Sequence, residues 1–195
     1  NLADKQALSA IGQPLIMDMY NLALQTCSLT GAQILLTYDD IANPVRRRNF
    51  ENTMEKLLSI RALPIINEND AVATQEIRFG DNDSLSAKVA RTCGATKLVI
   101  LTDVAGLFDS DPSKNPRARR IEYVEKITPS ILKLAGGSSS GRGTGGMLSK
   151  LLAAREASKS KIEVVLVKGD QPHALTDLAH GKPVGTQIGG KKSGK

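Results

Sequence analysis

Tryptophan is absent from this 195-residue chain, and aromatic residues together make up only 3% of it. The core must therefore be built from Leu, Ile, Val and Ala. Few rings remain to serve as the stacking platforms that single-stranded nucleic-acid binders use. Two cysteines, Cys27 and Cys93, and two histidines, His173 and His180, lie far apart with no Cys-x-x-Cys spacing. This scarcity argues against a structural zinc site and a disulfide framework, and it fits a reducing, cytosolic setting. No run of about 18 apolar residues occurs, as a membrane span would need. The opening residues read as polar helix and not as a basic-then-apolar leader, so no signal peptide is expected. What remains has the composition of a globular domain, and the length suits one large domain better than two small ones. The net charge of +6 favours anionic partners, either nucleic acid or a phosphorylated small molecule.

Apolar spacing predicts alternating helices and strands. A helix is expected over 4–26, with a kink or two abutting helices at Gly12 and Pro14. Gln33–Thr37 reads as a buried strand, 46–60 as helix and Leu63–Asn67 as a second buried strand. Thr74–Gly80 alternates weakly and suggests a hairpin edge. Helix over 84–92 leads to the clearest strand, Lys97–Thr102. A polar loop (110–120), a short helix (131–135) and a Gly/Ser-rich loop (136–146) follow. Helix over 147–160, a last buried strand at Glu163–Val167 and a short helix over 172–179 complete the pattern. Strands apolar on both faces, alternating with helices, argue for a parallel sheet covered on both sides. The tail 189–195 (GGKKSGK) reads as a flexible basic end.

In such sheets chemistry collects at the carboxyl ends of the strands. There the sequence places Asn67-Glu68-Asn69-Asp70, then Gly80-Asp81-Asn82-Asp83, then Thr102-Asp103. Taken singly, Asp81 or Asp83 reads as a helix N-cap and Asp103 as the opening of a turn. Three such clusters shift the balance toward a polar ligand site. It would suit an amino group, ribose hydroxyls or a magnesium-bound phosphate. The loop Gly141–Gly146 opens a helix that carries Lys150 in its first turn. Free N–H groups, the helix dipole and a lysine together favour an anion. Gly141, Gly143 and Gly146 match Gly-x-Gly-x-x-Gly, but Ser138–Ser140 precede them where a dinucleotide fold needs a strand. Glu163 also stands at the start of the next strand and not at its end. A phosphate loop ending in Gly-Lys-Ser/Thr is not matched, because Lys150 follows Ser149 and precedes Leu151. The arginine clusters 46–48 and 117–120 read as solvated helix or loop faces, and a nucleic-acid groove would lack interleaved aromatics.

Together, NENDAVAT (67–74), GDNDSLSA (80–87), LTDVAGLFDSDP (101–112) and GTGGMLSK (143–150) resemble the amino-acid kinase family. Within it the first two are similar to the members that phosphorylate glutamate. The other two pieces are shared with aspartate, acetylglutamate and uridylate kinases. The resemblance implies a three-layer α/β/α sandwich with a mainly parallel central sheet, formed by residues 1–188. It implies transfer of the ATP γ-phosphate to the side-chain carboxylate of L-glutamate, with magnesium accompanying ATP. It also implies a homo-oligomer, dimer or tetramer, and leaves room for feedback inhibition by proline.

Carried onto this chain, Asp70 and Asn82 would hold glutamate, with Asn67 close by. Thr102 and Asp103 would bind ATP. Thr144, Gly145, Gly146, Met147, Leu148, Ser149 and Lys150 would line its phosphates. Lys150 would stabilise the transferring phosphoryl group, and Asp83 would orient the lysines. The family's first strand, with its Gly-rich loop and lysine, has no counterpart after residue 1. The kinase domain is therefore expected to be N-terminally incomplete here, and the C-terminal accessory domain of many bacterial members is not in this stretch.

Overall fold

The computed structural model describes residues 1–73, 82–135 and 146–190. The hairpin edge expected at 74–80 and the loop 136–145 lie outside the described residues. The chain divides into two compact units, Asn1–Leu85 and Ser86–Lys195.

The first unit begins with α1 (Leu2–Gln25), followed by β1 (Thr30–Leu36), α2 (Tyr38–Ala42), α3 (Pro44–Ser59) and β2 (Ala62–Glu68). The two strands are parallel, with Leu35 opposite Asn67 and Leu36 opposite Glu68. Asn43 caps α3 by accepting from the Val45 and Arg46 N–H groups at 2.9 and 3.1 Å, and Pro44 starts the helix. This is the cheapest place for a residue without an N–H. The two abutting helices that Gly12 and Pro14 could have produced do not form, and α1 is one helix with Pro14 inside it. Proline removes one hydrogen bond, to the carbonyl four residues back. Ala10 and Pro14 are both exposed, so water can serve that carbonyl. Of α1's side chains Met17 is buried, whereas Leu8, Ile11, Leu15, Met19 and Leu22 are exposed. No described helix is long and apolar enough to cross a membrane.

The second unit holds most of α4 (Asn82–Thr92), then β3 (Lys97–Thr102), β4 (Tyr123–Val124), α5 (Pro129–Leu134), α6 (Met147–Ser158), β5 (Glu163–Lys168), α7 (Ala174–Ala179) and β6 (Thr186–Ile188). The sheet order is β3-β5-β6-β4. β3–β5 and β4–β6 are parallel, and β5–β6 is antiparallel. With β1–β2, three of the four pairings are parallel, as expected, but β1 and β2 are largely half-buried and Leu63 is exposed, so these two are not the buried strands the apolar runs predicted. Val164 to Val167 of β5 are almost wholly out of water, each contributing about 1.5–3 kcal/mol of burial. α6 packs on β5 through Leu151, Ala154 and Ala157, and the alanines let the backbones approach closely.

The short elements α2, β4 and β6 were not anticipated. β6 is three residues long, too short to show a period, and it exists because β5 and β4 offer it edges. Gly189, expected in the flexible tail, donates to the Val124 carbonyl at 2.9 Å, and the Tyr123 hydroxyl donates to the Gly190 carbonyl at 3.1 Å.

Candidate functional site

In the first unit the expected amino-acid residues gather at the carboxyl end of β2. Asn67 is the penultimate strand residue, and the chain then turns through Asn69 and Asp70, the Asn69 N–H reaching the Leu36 carbonyl at 2.8 Å. Asn67 and Asp70 line a cleft of about 170 Å³ whose other wall is α1, through Ser9, Gly12, Gln13 and Ile16. Gln6 secures the wall by donating from Nε2 to the Ala73 carbonyl at 3.2 Å. Two acidic residues, Glu68 and Asp70, and three amide residues, Gln13, Asn67 and Asn69, line the cleft in a largely half-buried setting, which suits a ligand carrying both ammonium and carboxylate groups. The α1 residues were missed by the sequence reading. The signal available was a glutamine inside the apolar spacing of a helix, and only its neighbour across the fold gives that meaning.

In α2, burial pushes the Asp40 carboxyl up. Hydrogen bonds from the Thr37 hydroxyl and N–H, both 2.7 Å, and the Arg46 guanidinium at 3.5 Å outweigh that and hold it below its ordinary value. Arg47 donates to the Ile41 carbonyl at 3.1 Å and Arg48 pairs with Glu51 at 3.4 Å. The arginine cluster 46–48 is thus tied into its own unit.

In the second unit, Thr102 is buried at the end of β3, and its hydroxyl donates to Asp103 at 3.1 Å. The following loop is held by one buried threonine. Thr186 Oγ1 accepts from the Leu107 N–H at 2.8 Å and donates to the Ile121 carbonyl at 2.6 Å. Gly106 sits against it at φ +133°, where a side chain would collide with that hydroxyl. This explains the glycine of the Thr-Asp-x-x-Gly-Leu stretch. The acids that follow are loop struts. Asp109 accepts from the Arg119 N–H at 3.0 Å, and Asp111 accepts from the Ser113 hydroxyl and N–H at 2.7 and 3.0 Å. Those hydrogen bonds hold both carboxyls below their ordinary values.

α6 begins at Met147 with Gly146 at its N-cap, a residue with no side chain to occupy the helix's N–H groups. Lys150 is its fourth residue and half-buried. The helix is about 18 Å long, close to the length of β5, and a four-residue turn joins its last residue to the start of that strand. α6 therefore runs antiparallel to β5. Its N-terminus, with Gly146 to Lys150, lies at the same end of the sheet as Thr102 and Asp103. That end combines a positive dipole terminus, a lysine, a hydroxyl and a carboxylate, a set suited to a nucleotide. Glu163 is at the opposite end and pairs with Lys97 at 3.1 Å. It is thus unavailable for the ribose role that a dinucleotide motif would assign it.

Thr144 and Gly145 lie outside the described residues. Asn82 and Asp83 are the first two residues of α4, so Asp83 is inside the first turn and is not the N-cap. There its charge complements the helix dipole. Among the described residues no cluster of three or more His, Cys, Asp or Glu side chains could cage a metal ion.

The sequence profile of the amino acid kinase family matches residues 1–168. The glutamate 5-kinase of Trichlorobacter lovleyi is 46% identical over 185 residues, 95% of this chain and 49% of that protein. The glutamate 5-kinase of Meiothermus ruber is 44% identical over 190 residues, 97% of this chain and 50% of that protein. The chain spans about half the length of the curated relatives it matches. Among solved structures, the UMP kinase of Bacillus anthracis has a TM-score of 0.66 at 16% identity, over 99% of this chain and 72% of that one. The isopentenyl phosphate kinase of T. acidophilum has a TM-score of 0.57 at 18% identity, over 92% and 71%. At such identities these structures speak for the α/β fold alone.

Proposed function

This chain belongs to the amino acid kinase family, and from that premise we propose that it carries the amino-acid and nucleotide sites of a glutamate 5-kinase. In this reading ATP phosphorylates the side-chain carboxylate of L-glutamate, giving L-glutamyl 5-phosphate for proline biosynthesis. The observation that carries the reading is the amide–carboxylate cleft of Asn67 and Asp70, in a chain 44–46% identical to two glutamate 5-kinases. Asp70 offers a negative charge to the substrate ammonium, and Asn67 and Asn82 offer amide donors to its carboxylates.

The chemistry asks little of the protein. A glutamate carboxylate with an ordinary pKa of about 4.3 is already ionised at neutral pH, so no general base is required. One carboxylate oxygen forms a bond to the γ-phosphorus. The bond from that phosphorus to the β–γ bridging oxygen breaks, and ADP leaves with the electron pair. Charge spreads over the equatorial oxygens in between, and positioned cations and N–H donors do most of the work. Lys150 stabilises that charge, and Thr144 to Ser149 would line the phosphates. Thr102 and Asp103 hold ATP, and Asp83 orients the phosphate-binding lysines. Magnesium, if carried in with ATP, would supply further positive charge at the phosphates.

The same reading takes residues 1–188 as one functional domain and places the protein in the cytoplasm. It includes a homo-oligomer, dimer or tetramer, and inhibition by proline. The apolar side chains exposed along α1 support the assembly, because a stripe of that length gains from being covered by a second copy.

The test is ADP release by the natural protein carrying this chain, with glutamate, aspartate, acetylglutamate and UMP as acceptors. Glutamate-dependent turnover is expected. Turnover on another acceptor moves the protein to a sister activity. Salt-sensitive oligonucleotide binding without any turnover would favour a basic nucleic-acid-binding domain on the same fold.

A further inference from the structure

Three side-chain amides form a directed chain along the cleft wall. The Asn67 Oδ1 accepts from the Glu68 N–H at 3.0 Å. The Asn67 Nδ2 donates to Gln13 Oε1 at 2.9 Å, and the Gln13 Nε2 donates to Gln33 Oε1 at 3.1 Å. Gln13 belongs to α1, Gln33 to β1 and Asn67 to β2, so the chain ties together all three elements.

The polarity of this chain follows from its anchor. A backbone N–H can only donate, so Asn67 must turn its carbonyl oxygen toward Glu68. Its NH₂ then faces Gln13, which must answer with its oxygen, since two NH₂ groups would repel. The Gln13 NH₂ is thereby directed at Gln33. One N–H of Asn67 is consumed by Gln13, and a second remains, with no partner among the described residues. Asn67 lines the cleft beside Asp70.

We propose that Gln13 is a positioning residue for the amino-acid acceptor. By holding the Asn67 amide in one orientation, it aims the second Nδ2 N–H at a carboxylate oxygen of the substrate. Without Gln13 the Asn67 amide keeps only its bond from the Glu68 N–H, and its second Nδ2 N–H is no longer held in one direction toward the substrate. This assignment rests on the reading of the cleft as the glutamate site, and it makes α1 part of substrate selection.

The experiment is steady-state kinetics on the natural protein carrying this chain, combined with a double-mutant cycle. Gln13→Met keeps length and removes both polar atoms. It is expected to raise the glutamate KM about tenfold, the scale of one hydrogen bond to a charged group. The kcat and the ATP KM should stay within about twofold, because the interaction is the same in ground and transition states. In an Asn67→Ala background, Gln13→Met should add less than about twofold, since its effect passes through Asn67. A merely structural role for Gln13 would give the same loss in both backgrounds, and that result would overturn the proposal. So would an unchanged glutamate KM in Gln13→Met. If Gln13→Met does not fold, Gln33→Leu at the exposed end of the chain tests the same idea. It should raise the glutamate KM by roughly two- to threefold by loosening Gln13, and no change there would also overturn the proposal. A wild-type protein that neither binds nor phosphorylates glutamate overturns the underlying reading and this inference with it. A glutamate-active wild type with silent Gln13 and Gln33 variants overturns this inference alone.

Discussion

Thr186→Val replaces a hydroxyl by a methyl of nearly the same shape, so its cost reports hydrogen bonding with little contribution from packing. Thr186 has no solvent exposure, and its hydroxyl serves the Leu107 N–H at 2.8 Å and the Ile121 carbonyl at 2.6 Å. Leu107 is itself only 2% exposed, so no water replaces the lost acceptor. The Ile121 carbonyl lies in a half-buried residue and can recover part of its loss from water. At about 1–3 kcal/mol for each buried group left unpaired, the full value for the first and the lower end for the second give roughly 2–4 kcal/mol. That is a large share of the about 5–15 kcal/mol that holds a typical domain. Thr186→Ser keeps the hydroxyl and removes one methyl, at about 1 kcal/mol. Urea unfolding of both variants, compared at equal slope, checks the order. The loop held by Thr186 follows Thr102 and Asp103 directly, so Thr186→Val should also raise the KM for ATP while leaving that for glutamate nearly unchanged. If Thr186→Val proved as stable as Thr186→Ser, the threonine would not be holding the loop by its hydroxyl, and the account of Gly106 would fall with it.

Lys150→Ala should lower kcat by about 10²–10³, the usual loss for one charge-stabilising donor, with little change in the glutamate KM; activity within threefold of wild type would remove Lys150 from the mechanism. Asp70→Asn should raise the glutamate KM strongly, whereas Asp83→Asn should chiefly lower kcat, and identical kinetic patterns would refute that division of roles. Asp40, whose carboxyl is held below its ordinary value of 3.8, gives stability that is present above that pH and is lost as the pH falls through the folded value. Asp40→Asn should therefore lower the Tm at pH 7, with the gap to wild type closing below about pH 4; a gap that stays constant with pH would show that the charge is not involved.

Local chemistry alone carried much of this protein. The apolar runs at Lys97–Thr102 and Glu163–Val167 could be read as strands because a sheet interior needs such a run and little else, although only the second is buried along its length and Leu101 of the first is half-exposed. The start of α6 was legible from Gly146, and the polar ends of β2 and β3 from the change of composition where burial stops. The period of α1 was equally plain, yet period says nothing of which side is covered, and its leucines lie largely in water. Pro14 looked like a break because the rule for proline is local, whereas the cost depends on whether water reaches the freed carbonyl.

What only the tertiary structure decided were partnerships between residues distant in sequence. Asn67 meets Gln13 from 54 residues away, and Leu107 meets Thr186 from 79. A glutamine or threonine carries the same donors and acceptors wherever it stands. Which backbone or amide it serves is set by the packing of whole strands and helices, a sum of many small apolar contacts that no short stretch of sequence contains. The site's residue types are thus written along the chain, and their orientation belongs to the fold.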